Sequence, residues 1–166
     1  NGTRGLVLAD KGDYTGAIKL HSEAIELNPN NALAYYGRAY AYDDLEDYQR
    51  AIDDCTKAVQ FNSPRLVDAY NNRGEAYRKS GIYAKAIEDY NKAIELNPNY
   101  ANAYFNRGFT CMAMKNFQAA VNDFTKYITL EPSDPDAYQK RGLCYQVLGE
   151  NEKANADFAK AKQLQN

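Results

Sequence analysis

The regular recurrence of one residue constrains this chain more than any other feature. Arginine returns at intervals of 34, 35, 34 and 34 residues, and an alanine keeps the same step. The two series are Arg4, Arg38, Arg73, Arg107, Arg141 and Ala17, Ala51, Ala86, Ala120, Ala154. A period of this size is typical of supersecondary units that stack into a solenoid. We therefore expect function in a surface that the units build together, and not in a single catalytic pocket.

Composition and charge give no indication of nucleic acid or a membrane as a partner. The chain has 166 residues, a formal net charge of -2 and a mean hydropathy of -0.70. Its Lys and Arg residues are spread along the sequence, so no clustered basic face for nucleic acid is expected. It has no run of 18 apolar residues and no signal-peptide pattern, so we expect no membrane contact. Asn1 falls inside the expected first helix, which suggests a fragment of a longer protein.

The unit at residues 67–100 is best explained as a pair of helices. Its apolar and small residues lie three or four positions apart in two runs, which is the helical period. Gly81 separates the runs and supplies a backbone that tolerates positive φ at the end of the first helix. Asn97-Pro98-Asn99 ends the second run, because proline disfavours helical geometry in the residue before it. Gly74 and Ala86 are small where the helices should cross.

These residues resemble the tetratricopeptide repeat. The resemblance is carried by the run Ala69-Tyr70-Asn71-Asn72-Arg73-Gly74-Glu75-Ala76-Tyr77 and by Gly81, Tyr83, Ala86, Ile87, Tyr90, Ala93 and Asn97-Pro98. It covers one domain, 1–166, as five units: 1–31, 32–66, 67–100, 101–134 and 135–166, the first lacking its start. The resemblance implies an all-α fold, a right-handed superhelical solenoid of antiparallel helix pairs.

A few positions depart from the repeated pattern. Ala39 stands where other units have glycine, and Tyr127 replaces the second small alanine. Asn151 replaces an aromatic residue, and the second unit carries one extra residue between Ala58 and Pro64. These departures affect the tightness of particular helix contacts and leave the fold prediction intact.

Cysteine and histidine give no indication of a metal site. Cys55, Cys111 and Cys144 occupy different places in the repeat and form no CxxC spacing, so we expect them to pack between helices. His21 is the only histidine, and its place is taken in later units by Cys55, Tyr90, Phe124 and Phe158. We therefore expect a core role for His21, and no metal or other cofactor for the chain.

The recurring arginine has two interpretations. An aspartate also recurs on the second helix of units two to five, at Asp54, Asp89, Asp123 and Asp157. A partly buried guanidinium needs such a carboxylate, so a structural pairing is the favoured interpretation. Unit one has Leu20 at this place, which leaves Arg4 without the corresponding aspartate. The alternative is a row of arginines that reads a phosphorylated or acidic partner.

One stripe on the first helices varies from unit to unit, and it is the candidate binding site. Positions that repeat identically serve packing, whereas positions that vary are free to specify a partner. The family is known for lining a concave groove with this stripe, and in some members an asparagine there holds the ligand backbone. The candidate groove residues are Tyr36, Tyr40, Asn71, Asn72, Glu75, Arg78, Phe105, Asn106, Phe109, Met112, Gln139 and Leu143.

The chemistry of this stripe suits a protein or peptide partner. Its aromatic and apolar members would be costly to expose without a role, so they are interpreted as anchors for a peptide. The alternative is that neighbouring helices cover them. We do not expect the acidic C-terminal tail of a chaperone as a ligand. Counted from the first unit, the slots of the family's carboxylate clamp hold Gly2, Leu6, Gly37, Asp68 and Asn72; counted from the third unit, they hold Asn71, Glu75, Asn106, Asp136 and Lys140. Neither set supplies the positive charge that a terminal carboxylate needs.

Two further function classes bear on the prediction. No nucleophile with a general base and no phosphate loop is present, so we expect a non-enzymatic interaction module that acts as scaffold or adaptor. The helix at 151–164 carries Ala154, Phe158, Ala161 and Leu164 on one side, with no capping helix after it. A homo-oligomer formed through this helix is the alternative function.

Overall fold

The computed structural model describes residues 13–166, and this part of the chain is helical without a strand. Its helices are α1 Tyr14–Leu27, α2 Ala32–Asp44, α3 Tyr48–Gln60, α4 Leu66–Lys79, α5 Tyr83–Leu96, α6 Ala101–Ala113, α7 Phe117–Leu130, α8 Pro135–Val147 and α9 Asn151–Gln165. The prediction of an all-α fold built from helix pairs is confirmed for these residues. Gly2, Thr3, Arg4 and Leu6 lie outside the described part.

The described residues fall into two compact units, one that ends at Ala93 and one that begins at Ile94. In the first unit, α1 packs on α2, α2 on α3 and α3 on α4; in the second, α6 packs on α7, α7 on α8 and α8 on α9. The first helices of neighbouring repeats also touch, α2 with α4 and α6 with α8. None of the helices within residues 13–166 is long and apolar enough to cross a membrane.

The turn inside the helix pair of repeats two to five uses a residue with left-handed backbone geometry. Gly81 has φ 79°, which confirms its predicted role, and Glu46 and Lys115 take the same conformation at φ 61° and 62°. The next residue then donates its N–H to a carbonyl five positions back, as Ile82 does to Tyr77 at 2.8 Å. This bond satisfies a carbonyl that the helix end would leave without a donor.

Side-chain caps explain where several second helices begin. The carboxylates of Asp13 and Asp47 and the amide oxygen of Asn116 accept a hydrogen bond from a backbone N–H three residues ahead. An acceptor at this position satisfies one of the orphan donors of the first turn. The short turns reverse the direction of the chain, so that the apolar faces of the two helices of a pair meet.

A glycine under an aromatic ring sets the distance between the two helices of a repeat. A Cβ atom placed on Gly74 would lie 2.7 Å from Cε1 of Tyr90, and one on Gly142 would lie 2.6 Å from Cε1 of Phe158. The prediction that Gly74 must be small at the crossing is therefore confirmed. A larger residue would force the ring or the helix to move.

Tyr127, one of the departures from the repeat pattern, is accommodated by contacts inside the second unit. Its ring lies 5.0 Å from that of Phe105, and its hydroxyl donates to Oδ2 of Asp134 at 2.7 Å. Asp134 also caps α8 by accepting the N–H of Asp136. The larger side chain thus links the end of α7 to the start of α8.

His21 has the predicted core position, but the described residues give its ring nitrogens no hydrogen-bond partner. Its side chain is buried against Gly37, and neither ring nitrogen has a hydrogen-bond partner among residues 13–166. Burial first, and then the positive charge of Arg38, lower the pKa of His21 from 6.5 to about 4. The imidazole is therefore neutral in the folded protein near neutral pH.

The substitution His21→Phe should remove a pH-dependent part of the stability. Because the folded pKa lies below the unfolded one, the unfolded chain binds the extra proton, and stability is lost as pH falls from 6.5 towards 4. We expect the wild type to lose about 2 kcal/mol more than the variant between pH 7 and pH 5. Urea unfolding at both pH values measures this difference, and equal losses in the two proteins would contradict it.

Candidate functional site

The recurring arginines are held in the same way in every described repeat. The Nε and Nη2 atoms of Arg38 donate to the two carboxylate oxygens of Asp54 at 2.7 and 2.8 Å. The same fork joins Arg73 to Asp89, Arg107 to Asp123 and Arg141 to Asp157, at 2.7 to 2.9 Å. The predicted pairing is confirmed in repeats two to five, and Arg4 lies outside the described residues.

Further contacts fix each guanidinium. Nη1 of Arg38 donates to Ser22 Oγ at 3.1 Å, and Arg73 and Arg141 donate likewise to Thr56 and Thr125. The tyrosine three residues before each arginine places its ring under the guanidinium, 5.5 to 5.7 Å away. The side-chain hydrogen bond to the aspartate is the main reason why the pKa of each arginine is raised. The arginines thus serve helix packing, and the row that reads an acidic partner is not supported.

In the first unit, the candidate stripe divides into a buried and an exposed part. Tyr40 is 38% exposed, whereas Tyr36 is 4% exposed and Asn71 is also buried. Tyr36 packs with Ala58 and Ala69, and the guanidinium of Arg65 lies 5.0 Å from its ring centre. Tyr36 is therefore part of the packing between the helices, and its ring is not accessible to a partner.

The polar members of this stripe are connected to one another. Asn72 donates to the hydroxyl of Tyr36 at 3.4 Å, and burial raises the pKa of Tyr36 to about 12. Glu75 lies 3.3 Å from Lys79 Nζ and 3.9 Å from a guanidinium nitrogen of Arg78. The candidate polar band is thus a network of amide and ion-pair contacts.

A cavity of about 210 Å³ lies in this part of the first unit, between α2, α3 and α4. Its lining is Ala39, Tyr40, Asp43, Asp44, Ala51, Cys55, Asn72, Glu75 and Lys79. The sequence predicts Tyr40, Asn72 and Glu75 as residues of the stripe, but it does not predict the cavity next to them. Two signals were available, namely alanine at position 39 in place of glycine and cysteine at position 55 in place of an aromatic residue.

In the second unit, the stripe is apolar with one cation over it. Phe109 is 36% and Leu143 is 40% exposed, and the ammonium of Lys140 lies 5.1 Å from the ring centre of Phe109. Phe105 is half-buried in edge contact with Phe124 at 5.6 Å. The other predicted members are the half-buried Asn106 and Met112 and the exposed Gln139.

Lys140 is the cation that a carboxylate-binding site on this stripe would need, and it already has a partner. Its Nζ lies 2.9 Å from Oδ1 of Asp136, one helical turn earlier on α8. Such an i, i+4 pair reduces the positive charge available to an incoming carboxylate. That an acidic tail is a poor ligand stays a prediction.

The reactive side-chain types form no further site in the described part of the chain. Cys55, Cys111 and Cys144 are free and buried, as predicted for packing residues. Among residues 13–166, no group of three His, Cys, Asp or Glu side chains has the arrangement to hold a metal ion. The stripe and the cavity next to it are therefore the features that carry a functional argument.

Comparison with family models gives matches across the chain. The model described as TPR repeat matches residues 5–45 and 74–115, and the model described as Tetratricopeptide repeat matches residues 32–63 and 101–134. Human serine/threonine-protein phosphatase 5 is 48% identical over 50 residues, which is 30% of this chain and 10% of the phosphatase. Stress-induced-phosphoprotein 1 of Caenorhabditis elegans is 40% identical over 53 residues, 32% of this chain and 17% of that protein. The similarity thus covers only a small part of these longer relatives.

Solved structures resemble the chain over nearly its full length. A crystal structure of MamA has a TM-score of 0.89 at 29% identity and covers 97% of this chain and 94% of its own. The structure of YrrB, described as a TPR protein with an unusual peptide-binding site, has a TM-score of 0.80 at 26% identity. It covers 97% of this chain and 82% of its own.

Removing one arginine of the row should destabilise the protein strongly. The change Arg73→Met leaves the buried carboxylate of Asp89 without its cation, and we expect a loss of about 2–3 kcal/mol in the free energy of unfolding. The matched control is Arg50→Met, since Arg50 is mostly exposed and pairs loosely with Asp47 at 3.4 Å. That control should lose no more than about 0.5 kcal/mol. Chemical denaturation measures both, and similar losses would show that the fork is not a packing device.

Proposed function

Because the chain belongs to the tetratricopeptide repeat family, we propose that it is an interaction module that binds a segment of a partner protein along the variable stripe of its first helices. Repeats of this family generally serve as non-enzymatic interaction modules. The observation that carries the proposal is the exposure of Tyr40, Phe109 and Leu143 on this stripe. The residues that repeat identically, by contrast, are engaged in packing.

The exposed residues are suited to holding a peptide. Aromatic side chains give a large contact area at small entropic cost, and they dominate the energetics of many interfaces. Phe109 and Leu143 lie on neighbouring helices, α6 and α8, which contact each other. The similar protein YrrB is described as having a peptide-binding site, which supports a peptide as the ligand class.

Nucleic acid is not part of the proposal. The formal net charge is -2, and the four described arginines of the row donate to aspartates. Phosphate binding draws on cations that release counterions, and an arginine engaged by a carboxylate is a poor donor for this purpose. The proposed partner is therefore a protein.

The self-assembly alternative depends on the apolar side of α9, and that side is largely packed. Ala154 and Ala161 are buried, and the ring of Phe158 lies over Gly142 of α8. The opposite side of α9 presents polar residues to solvent, namely Glu152, Asn155, Lys160 and Gln163. Assembly through α9 stays a prediction, and the described face gives it no apolar patch.

The proposal is tested by selecting peptides from a random library on the immobilised wild-type protein and measuring their affinities for variants. The double substitution Tyr40→Ala with Phe109→Ala removes an exposed anchor from each compact unit, and we expect at least a tenfold weaker binding of the selected peptides. The measurement is fluorescence anisotropy with labelled peptides.

A matched control comes from two equally exposed apolar residues outside the stripe. Ile82 and Met114 are 42% and 48% exposed in the turns within helix pairs. Their replacement by alanine should leave the affinities within about twofold. Peptides that bind both double variants equally well would remove the stripe as the binding site, and so would a library that yields no binder.

A further inference from the structure

The second repeat differs from the later repeats at the place where glycine meets an aromatic ring. In repeats three to five, a glycine of the first helix lies under the ring sixteen residues later, in the pairs Gly74 with Tyr90, Gly108 with Phe124 and Gly142 with Phe158. The corresponding residues of repeat two are Ala39 and Cys55. The alanine methyl and the thiol replace a ring, so this repeat has less side-chain volume between its helices.

The cavity of about 210 Å³ lies beside this pair. Ala39, Ala51 and Cys55 are each at most 2% exposed, so they form its inner wall. Tyr40 stands at the opening, where its ring is partly exposed. The volume lies below the range of about 300–1,000 Å³ that is usual for drug-sized ligands, and it is therefore suited to a single side chain.

The charged part of the lining has an excess of carboxylates. Its charged members are the carboxylates of Asp43, Asp44 and Glu75 and the ammonium of Lys79. Lys79 Nζ lies 3.2 Å from Oδ2 of Asp43 and 3.3 Å from Oε1 of Glu75. The guanidinium of Arg78, outside the lining, also lies 3.9 Å from Glu75, so two cations stand beside the three carboxylates.

One carboxylate oxygen among these residues is desolvated and accepts no hydrogen bond from the described residues. Oδ1 of Asp43 is inaccessible to solvent and accepts no hydrogen bond within the described residues. A buried carboxylate oxygen without a donor loses the free energy of its hydration. Burial accordingly raises the pKa of Asp43. A cation that entered the cavity would stabilise this desolvated carboxylate.

We propose that the cavity receives an arginine side chain of the bound partner segment. The guanidinium donates to the carboxylates of Asp43 and Glu75, because its planar fork matches carboxylate geometry. Its face stacks on the ring of Tyr40, and its methylene stem packs on the inner wall. The inference rests on the proposed function, since the arginine belongs to the partner that the stripe binds.

A small probe tests the cavity independently of any peptide. The probe is N-acetyl-L-argininamide, and the uncharged isostere N-acetyl-L-citrullinamide is its control. In ¹H–¹⁵N spectra of the whole chain, we expect the arginine probe to shift the amides of α2 and α4 saturably at millimolar concentration. The citrulline probe should bind at least tenfold more weakly. Equal shifts with both probes, or no saturable shift with the arginine probe, would overturn the proposal.

Two carboxylate variants locate the site. Asp43→Asn should weaken binding of the arginine probe at least fivefold, because it removes a negative charge that pairs with the guanidinium. Asp53→Asn is the matched control in the same repeat, where an exposed aspartate accepts a hydrogen bond from Gln49 outside the cavity. An unchanged affinity of Asp43→Asn for the probe would place the binding elsewhere.

Refilling the cavity gives a second test, which also reports on folding. The double substitution Ala39→Gly with Cys55→Phe recreates the Gly108 and Phe124 pair of repeat four. It should fold with a melting temperature at or above that of the wild type and should lose the arginine probe. Cys55→Phe alone should melt lower, because the ring would meet the methyl of Ala39. A refilled protein that still binds the probe would refute the cavity as the site.

The outcomes separate this inference from the proposed function. Library peptides that bind through Tyr40 and Phe109, and that keep their affinity when arginine is changed to citrulline, would leave the stripe intact and end the arginine proposal. Specific binding of the small probe, together with a library screen that yields no binder, would support the arginine site and end the proposal that the stripe binds a peptide.

Discussion

The forked ion pair between an arginine of the first helix and an aspartate of the second is the interaction on which the rest of the fold depends. The aspartates are nearly buried, so each would carry an uncompensated charge if its arginine were absent. The planar guanidinium also reaches a hydroxyl of the preceding repeat, as in the contact from Arg73 to Thr56. One side chain thereby ties three helices together, and Arg38 and Arg141 make the corresponding contacts with Ser22 and Thr125.

This division of labour explains why the second repeat tolerates a cavity. Ala39 and Cys55 fill less space than the glycine and ring of the later repeats, and an unfilled volume in a core costs stability. The fork from Arg38 to Asp54 still holds α2 against α3 with both hydrogen bonds, at 2.7 and 2.8 Å. The ion pair thus holds these two helices together in a repeat that lacks the glycine and the ring. The freed volume opens beside charged residues of the variable stripe, where a difference between repeats has a use.

The helices, their turns and the arginine partners could be predicted from the sequence because each depends on local spacing or on a repeated pair. Tyr36 and Tyr40 share a helical face, yet one is buried and the other exposed. Periodicity assigns a residue to a face but does not say how far a neighbouring helix covers it, and the burial of Tyr36 depends on Ala58 and Ala69 of the next two helices. The cavity could not be predicted, because it arises from two small residues, Ala39 and Cys55, that lie sixteen positions apart in the sequence and line the same space between the helices.

The two compact units offer a partner different kinds of interaction. The stripe of the second unit is apolar, and apolar contact is non-directional, so it contributes affinity more than selectivity. Its cation, Lys140, is held by Asp136 and by the face of Phe109. The stripe of the first unit combines one exposed ring with a desolvated carboxylate, and a buried polar group left unpaired penalises a ligand that lacks the matching donor. Discrimination between partners should therefore depend on Asp43 and its surroundings, whereas changes at Phe109 should weaken different partners by similar factors.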